Sequence, residues 1–248
     1  MTTPNIVVFI AAGFIAQIID GALGMAYGVS SNTFLLSLGI PPAAASASVH
    51  AAEVFTSGIS GLSHLRLGNV DKELFSKLLI PGVVGGAAGA YVLTTAPTST
   101  IKPVVSAYLL LMGLLILRRS LQQTGETPAR AHTVPLGLLG GFFDAIGGGG
   151  WGPIVTSTMV ATGNHPRFVI GSVNMAEFFV TLCESITFIL TIGLAHANII
   201  VGLIIGGTLA APLAAYVCKW LPTRALMRMV AALIIVLSVR TLYMTLAQ

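Results

Sequence analysis

Carboxylates inside apolar runs constrain this chain more than any other feature. Stretches near residues 5–38, 40–63, 76–96, 101–117, 134–162, 168–193, 197–218 and 224–246 are almost wholly apolar and are separated by short polar breaks. Several reach the roughly 20 residues that an α-helix needs to cross about 30 Å of hydrocarbon. Yet the second run carries His50 and Glu53, and the sixth carries Asn174 and Glu177. With 55% hydrophobic and 8% charged residues in 248, the chain has too much apolar surface to hide inside a soluble fold. Soluble domains carry about 25% charged residues. The expected class is an all-α polytopic membrane protein, because β-barrel strands would alternate instead of running apolar. No Lys or Arg precedes Arg66, so no secretory leader is expected. The net charge of +4 sits in the polar breaks, as membrane orientation requires, and implies no nucleic-acid partner. Cys183 and Cys218 lie in apolar runs and read as small packing residues.

The two carboxylate runs are copies of one unit. A shift of 124 residues places Gly13 on Gly137, Asp20 on Asp144, Gly24 on Gly148 and Gly28 on Gly152. It also places Pro42 on Pro166, Ser48 on Ser172, Ala52 on Ala176 and Glu53 on Glu177. Further on the register slips by one, so that GGAAGAYV (85–92) meets AAPLAAYV (210–217). The reading is a first repeat over 1–120, a cytoplasmic linker over 121–133 and a second repeat over 134–248. Loop 64–77 holds Arg66, Lys72 and Lys77 while its counterpart near 191–197 holds no Lys or Arg. Loop 219–228 holds Lys219, Arg224 and Arg228 against only Lys102 in 95–103. The bias flips between copies, and positive residues favour the cytoplasm. Two inverted repeats are therefore expected, with the termini outside and loops 64–77, 118–133, 163–167 and 219–224 inside.

Each copy opens on a run that is too long for one comfortable crossing and too short for two. The centres of these runs read DGALGMAYGVSSN and DAIGGGGWGP, and glycine runs and Pro153 break helices. Each is expected to be a broken or re-entrant helical hairpin, followed by three transmembrane helices. Unwound backbone at membrane depth survives only inside protein or beside a wet cavity. Helices restarting after the breaks would aim free N–H groups and a positive dipole end into that cavity, which makes it an anion site. Gly24, Gly28, Gly148, Gly149, Gly150 and Gly152 bare the backbone there. Ser30, Ser31, Asn32, Thr156 and Ser157 offer donors, and Tyr27 and Trp151 offer walls with a polar edge. An alternative is that the glycines only allow close helix packing.

Glu53 and Glu177 follow His50 and Asn174 by three residues, on one helix face. An ionised group at mid-membrane costs about 2.5–3.5 kcal/mol even on the lenient scale. They read either as proton-coupling groups or as acids hydrogen-bonded across a helix interface. Asp20 and Asp144 stand before the breaks and read as caps of the following helices. Glu184 lies on the face of Glu177, two turns on, and would extend a proton path. No HExxH or nucleophile motif is present, so neither catalysis nor a metal or other cofactor is expected.

DGALGMAYG followed by PPAAASASVHAAEVFTSGISGLSHLRLGNVD, echoed by DAIGGGGWGP and GSVNMAEFF, resembles the sulfite exporter TauE/SafE family over nearly the whole chain. The resemblance implies an inner-membrane transporter whose substrates are sulfite and small organosulfonates, with export as the usual direction. It places the family pattern on Gly24, Gly28, His50 and Glu53, and on Gly148, Gly150, Gly152, Asn174 and Glu177. Asn174 stands where the first copy has His50, so an imidazole role would not be duplicated.

Overall fold

A computed structural model of the chain describes residues 5–23, 25–121, 132–162, 164–193, 196–217 and 223–246. These residues are mostly helical, without a β-strand among them. The first half contains α1 (Ile6–Leu23), α2 (Tyr27–Ser37), α3 (Pro42–Arg66), α4 (Lys72–Thr95) and α5 (Thr98–Leu121). The second contains α6 (Thr133–Gly147), a π-helical turn (Gly152–Thr156) running into α7 (Ser157–Ala161), then α8 (Pro166–Ile192), α9 (Ala197–Val217) and α10 (Thr223–Leu246).

Local chemistry sets the boundaries. Pro42 starts α3 at a position where its missing N–H costs nothing. Asp71 caps α4 by accepting from the Glu73 and Leu74 amides. The segment 5–38 is interrupted after Leu23, and Ala26 adopts the left-handed region at φ 94°. The segment 134–162 is interrupted at Gly148 and Gly149, with φ of 63° and 149°. Both interruptions fall where the glycine runs predict them.

Among the described residues, four spans are long and apolar enough to cross a membrane: Lys72–Thr95, Thr98–Leu121, Phe168–Ile192 and Met227–Leu246. Their outer faces carry exposed Ile80, Val84, Leu190, Met229 and Val236. A soluble monomer rarely displays so wide an apolar surface, whereas lipid matches it. The chain is a multi-pass membrane protein.

Helices pair reciprocally across the halves. α1 lies on α9 and α6 lies on α4, while α3 faces α8 and α5 faces α10. Glycine permits the closest of these approaches, the usual device where two helices meet in a bilayer. A Cβ at Gly13 would come within 2.8 Å of the Leu203 Cα, and one at Gly137 within 3.1 Å of the Leu78 carbonyl oxygen. Gly13 and Gly137 are equivalent in the repeat register, and so are Leu78 and Leu203 after the one-residue slip. The same contact is therefore made twice. A buried core of Phe9, Leu35, Val49, Leu109, Leu203 and Ile234 joins the halves.

Candidate functional site

The two interruptions touch. A Cβ on Gly28 would meet the Gly148 carbonyl at 2.5 Å, the Gly149 Cα at 2.6 Å and Glu53 Oε1 at 3.0 Å. Only bare backbone permits this approach. The Asn32 amide donates to the Gly147 carbonyl, which ties α2 to the end of α6. The Tyr108 hydroxyl donates to the Gly149 carbonyl at 3.5 Å, and the Tyr108 ring stacks on Phe143 with centroids 5.5 Å apart.

Each interruption is capped by the aspartate that precedes it. Asp20 Oδ1 accepts from the Tyr27 amide at 3.3 Å. Asp144 Oδ1 accepts from the amides of Gly150 at 2.5 Å and Trp151 at 2.9 Å. Tyr27 and Trp151 occupy the same repeat position, so these are again equivalent contacts. Helix starts leave amides without partners inside the helix, and here carboxylates take the first of them.

A cavity opens at the junction. Its lining includes Asp20, Tyr27, Gly28, Glu53, Asp144, Gly149, Gly150, Gly152, Thr156, Asn174 and Glu177, with Met25, Pro153 and Val173 as apolar wall. Glu53 and Glu177 therefore face one space from α3 and α8. The cavity is lined by four carboxylates and by no Lys or Arg. Asn174 turns its amide nitrogen back to the Ile170 carbonyl at 2.9 Å. With the Tyr27, Gly150 and Trp151 amides taken by carboxylates, the donors left are the remaining backbone N–H groups, the Thr156 hydroxyl and the second amide hydrogen of Asn174.

Other residues singled out in the sequence lie elsewhere. Gly24 falls outside the described residues. Ser30, Ser31 and Asn32 are buried in α2 and do not line the cavity. Gly148 forms the turn behind it. Trp151 is wholly buried instead of forming a wall, with its indole N–H donating to the Val173 carbonyl at 3.1 Å. The Tyr27 ring does line the cavity, and its hydroxyl donates to the Leu203 carbonyl at 3.3 Å.

His50 departs most from expectation. It is fully buried and does not line the cavity. Its Nε2 faces Glu184 Oε2 at 2.8 Å and Asp144 Oδ2 at 3.6 Å. Its Nδ1 lies 2.8 Å from the Ser46 carbonyl, a group that can only accept. Glu184 is likewise fully buried. Sequence reasoning missed this grouping because α3, α6 and α8 contribute one residue each. The signal that could have found it was that His50 and Glu184 both change type between the copies, Asn174 standing for His50 and Ser60 for Glu184.

Comparison with known proteins agrees with the resemblance read from the motifs. The sulfite exporter TauE/SafE family profile matches residues 9–241. The chain is 41% identical to the "probable membrane transporter protein YtnM" of Bacillus subtilis (strain 168), across 96% of this chain and 83% of that protein. No solved structure matches it.

Proposed function

Because the chain belongs to the sulfite exporter TauE/SafE family, we propose that it exports sulfite or a small organosulfonate anion across the bacterial inner membrane by alternating access. Membrane transport follows from the family and the relative; the substrate and the mechanism are the proposed part. The single observation that carries this reading is the cavity at the junction of the two interruptions, with Gly149, Gly150 and Gly152 baring backbone toward it. A sulfonate offers three acceptor oxygens to the helix-end amides that Asp20 and Asp144 do not already take.

Four carboxylates around an anion site demand compensation. The capped amides offset Asp20 and Asp144 in part. Glu53 and Glu177 have no cationic side chain beside them in the cavity. The anion accordingly enters together with protons on these two acids, which makes proton coupling part of the reading. An inside-negative potential favours outward movement by about 2.3 kcal/mol per unit charge per 100 mV.

The repeat contacts support two inverted repeats over 1–120 and 134–248 joined by a linker at 121–133. Gly13–Leu203 pairs with Gly137–Leu78, and Tyr27 beside Gly207 pairs with Trp151 beside Gly82. In this arrangement the termini lie outside, and the loops at 64–77 and 118–133 are cytoplasmic. Rocking of α1 with α9 against α6 with α4 would open the cavity to each side in turn.

The test combines a thermal-shift screen with flux. Purified protein should be stabilised by sulfite, sulfoacetate or another small sulfonate over sulfate, thiosulfate, taurine and chloride, and should move labelled sulfonate in vesicles. The carboxylate ring itself favours one second reading, a transporter of a different small solute. Stabilisation by a cationic or neutral solute alone would establish that reading. Non-saturating flux with large unitary currents would instead mark a channel.

A further inference from the structure

His50, Asp144 and Glu184 place their ligand atoms within 4.8 Å of one another, and all three side chains are buried. His50 Nε2, Asp144 Oδ2 and both Glu184 oxygens lack a hydrogen-bond partner. Buried polar atoms are almost always satisfied, so three ligand atoms that converge and face only one another point to a cation held between them.

The surroundings favour a metal ion. Nδ1 must carry the imidazole proton, because the Ser46 carbonyl beside it can only accept. A ring with no second proton turns the Nε2 lone pair toward the two carboxylates, an arrangement that is repulsive without a cation between them. This is the arrangement that orients metal-ligating histidines, in which the second ring nitrogen is fixed by a backbone carbonyl. The Nε2–oxygen separations of 2.8 and 3.6 Å bracket the edge of about 3.3 Å expected of a tetrahedron with metal–ligand bonds near 2.0–2.1 Å. Two carboxylates and a neutral imidazole balance a doubly charged ion, leaving no net charge in an apolar interior. Gly86 makes room for Glu184, whose Cγ would lie 2.8 Å from a Cβ there. Phe188 stands 5.9 Å from the His50 ring. Asp144 also borders the cavity, which supplies a way in.

We infer that His50, Asp144 and Glu184 bind one divalent transition-metal ion of the zinc or manganese class, one nitrogen and two oxygen ligands being suited to both. The ion braces the cavity rim. Asp144 gives one oxygen to the metal and the other to the Gly150 and Trp151 amides. The site is independent of which solute the cavity carries.

The experiment is metal analysis of the full-length protein purified in detergent, followed by chelation and reloading with Zn2+, Mn2+ or Co2+ alone. One ion per chain is expected, with a fall in Tm on chelation that reloading reverses. Co2+ should give a d–d absorption band that Zn2+ displaces. His50→Ala and Glu184→Gln should each lower the metal content at least tenfold, while His64→Ala leaves it unchanged. Wild-type protein overturns the site, whatever the variants do, if it holds no stoichiometric metal and gains neither Tm nor a cobalt band. Metal retained at full stoichiometry in both variants overturns it as well. A proton shared between His50 and Glu184 would then account for their contact.

Discussion

Substituting Gly149 by Ala tests whether the junction depends on bare backbone. Two costs arise at this position. Its φ of 149° lies where side chains are rarely tolerated, a strain of about 1–3 kcal/mol. The new Cβ would also press on the Val29 amide and lie 2.6 Å from the Gly28 Cα. Backbone on both sides cannot step aside, so overpacking adds about 1–3 kcal/mol. At about 2–4 °C per kcal/mol for a chain of this size, Tm should fall by roughly 4–24 °C. Two controls separate the costs. Gly39→Ala has a φ of 86° but nothing within 4 Å of its Cβ, so it suffers strain alone, about 1–2 kcal/mol. Gly28→Ala sits in a helix and suffers contact alone, about 1–3 kcal/mol. The assay is thermal unfolding in detergent, read beside anion-induced stabilisation. Gly149→Ala should be the least stable of the three, and only the two junction variants should lose anion-induced stabilisation. A Gly149→Ala protein as stable as Gly39→Ala, with ligand protection intact, would refute the reasoning.

Three further outcomes are expected. Glu53→Gln and Glu177→Gln should each slow sulfonate flux in vesicles at least several-fold without lowering Tm by more than a few degrees; unchanged flux in both would remove proton coupling from the mechanism. Asp20→Ala deletes the acceptor for the Tyr27 amide and should cost about 0.5–2 kcal/mol in thermal unfolding, as lost helix caps do. Gly13→Val and Gly137→Val press on equivalent partners, Leu203 and Leu78, and should each lower stability by at least about 1–3 kcal/mol; an effect in one variant alone would argue against the pseudo-symmetric packing.

The residues differ in how far sequence alone revealed them. Glycine runs marked both interruptions because broken helix is a local property of residues 20–32 and 144–157. Repeat register marked Glu53 and Glu177 as a pair, and the cavity does receive both. Asp20 and Asp144 were legible as caps for the same local reason. His50 was read as facing the cavity because Glu53 lies one turn away on its helix. Three residues on a helix turn the chain by about 300°, which leaves enough angular difference for His50 to face α6 and α8 while Glu53 faces the junction. Trp151 was read as a polar-edged wall, but its indole N–H found the Val173 carbonyl, a partner that only the packing of α8 supplies. Long-range pairings such as Glu184 with His50 leave no periodic trace.

The exchange of helices between halves bears on how the protein is made. α1 is synthesised first, yet its partner α9 starts 191 residues later, at Ala197 as against Ile6. At about 5–20 residues per second, the ribosome leaves α1 unaccompanied for roughly 10–40 s. α6 has no such delay, because α4 is already in place when it emerges. The nascent first half must therefore wait in the bilayer with Gly13 facing lipid or the insertion machinery, and assembly closes only when the penultimate helix arrives.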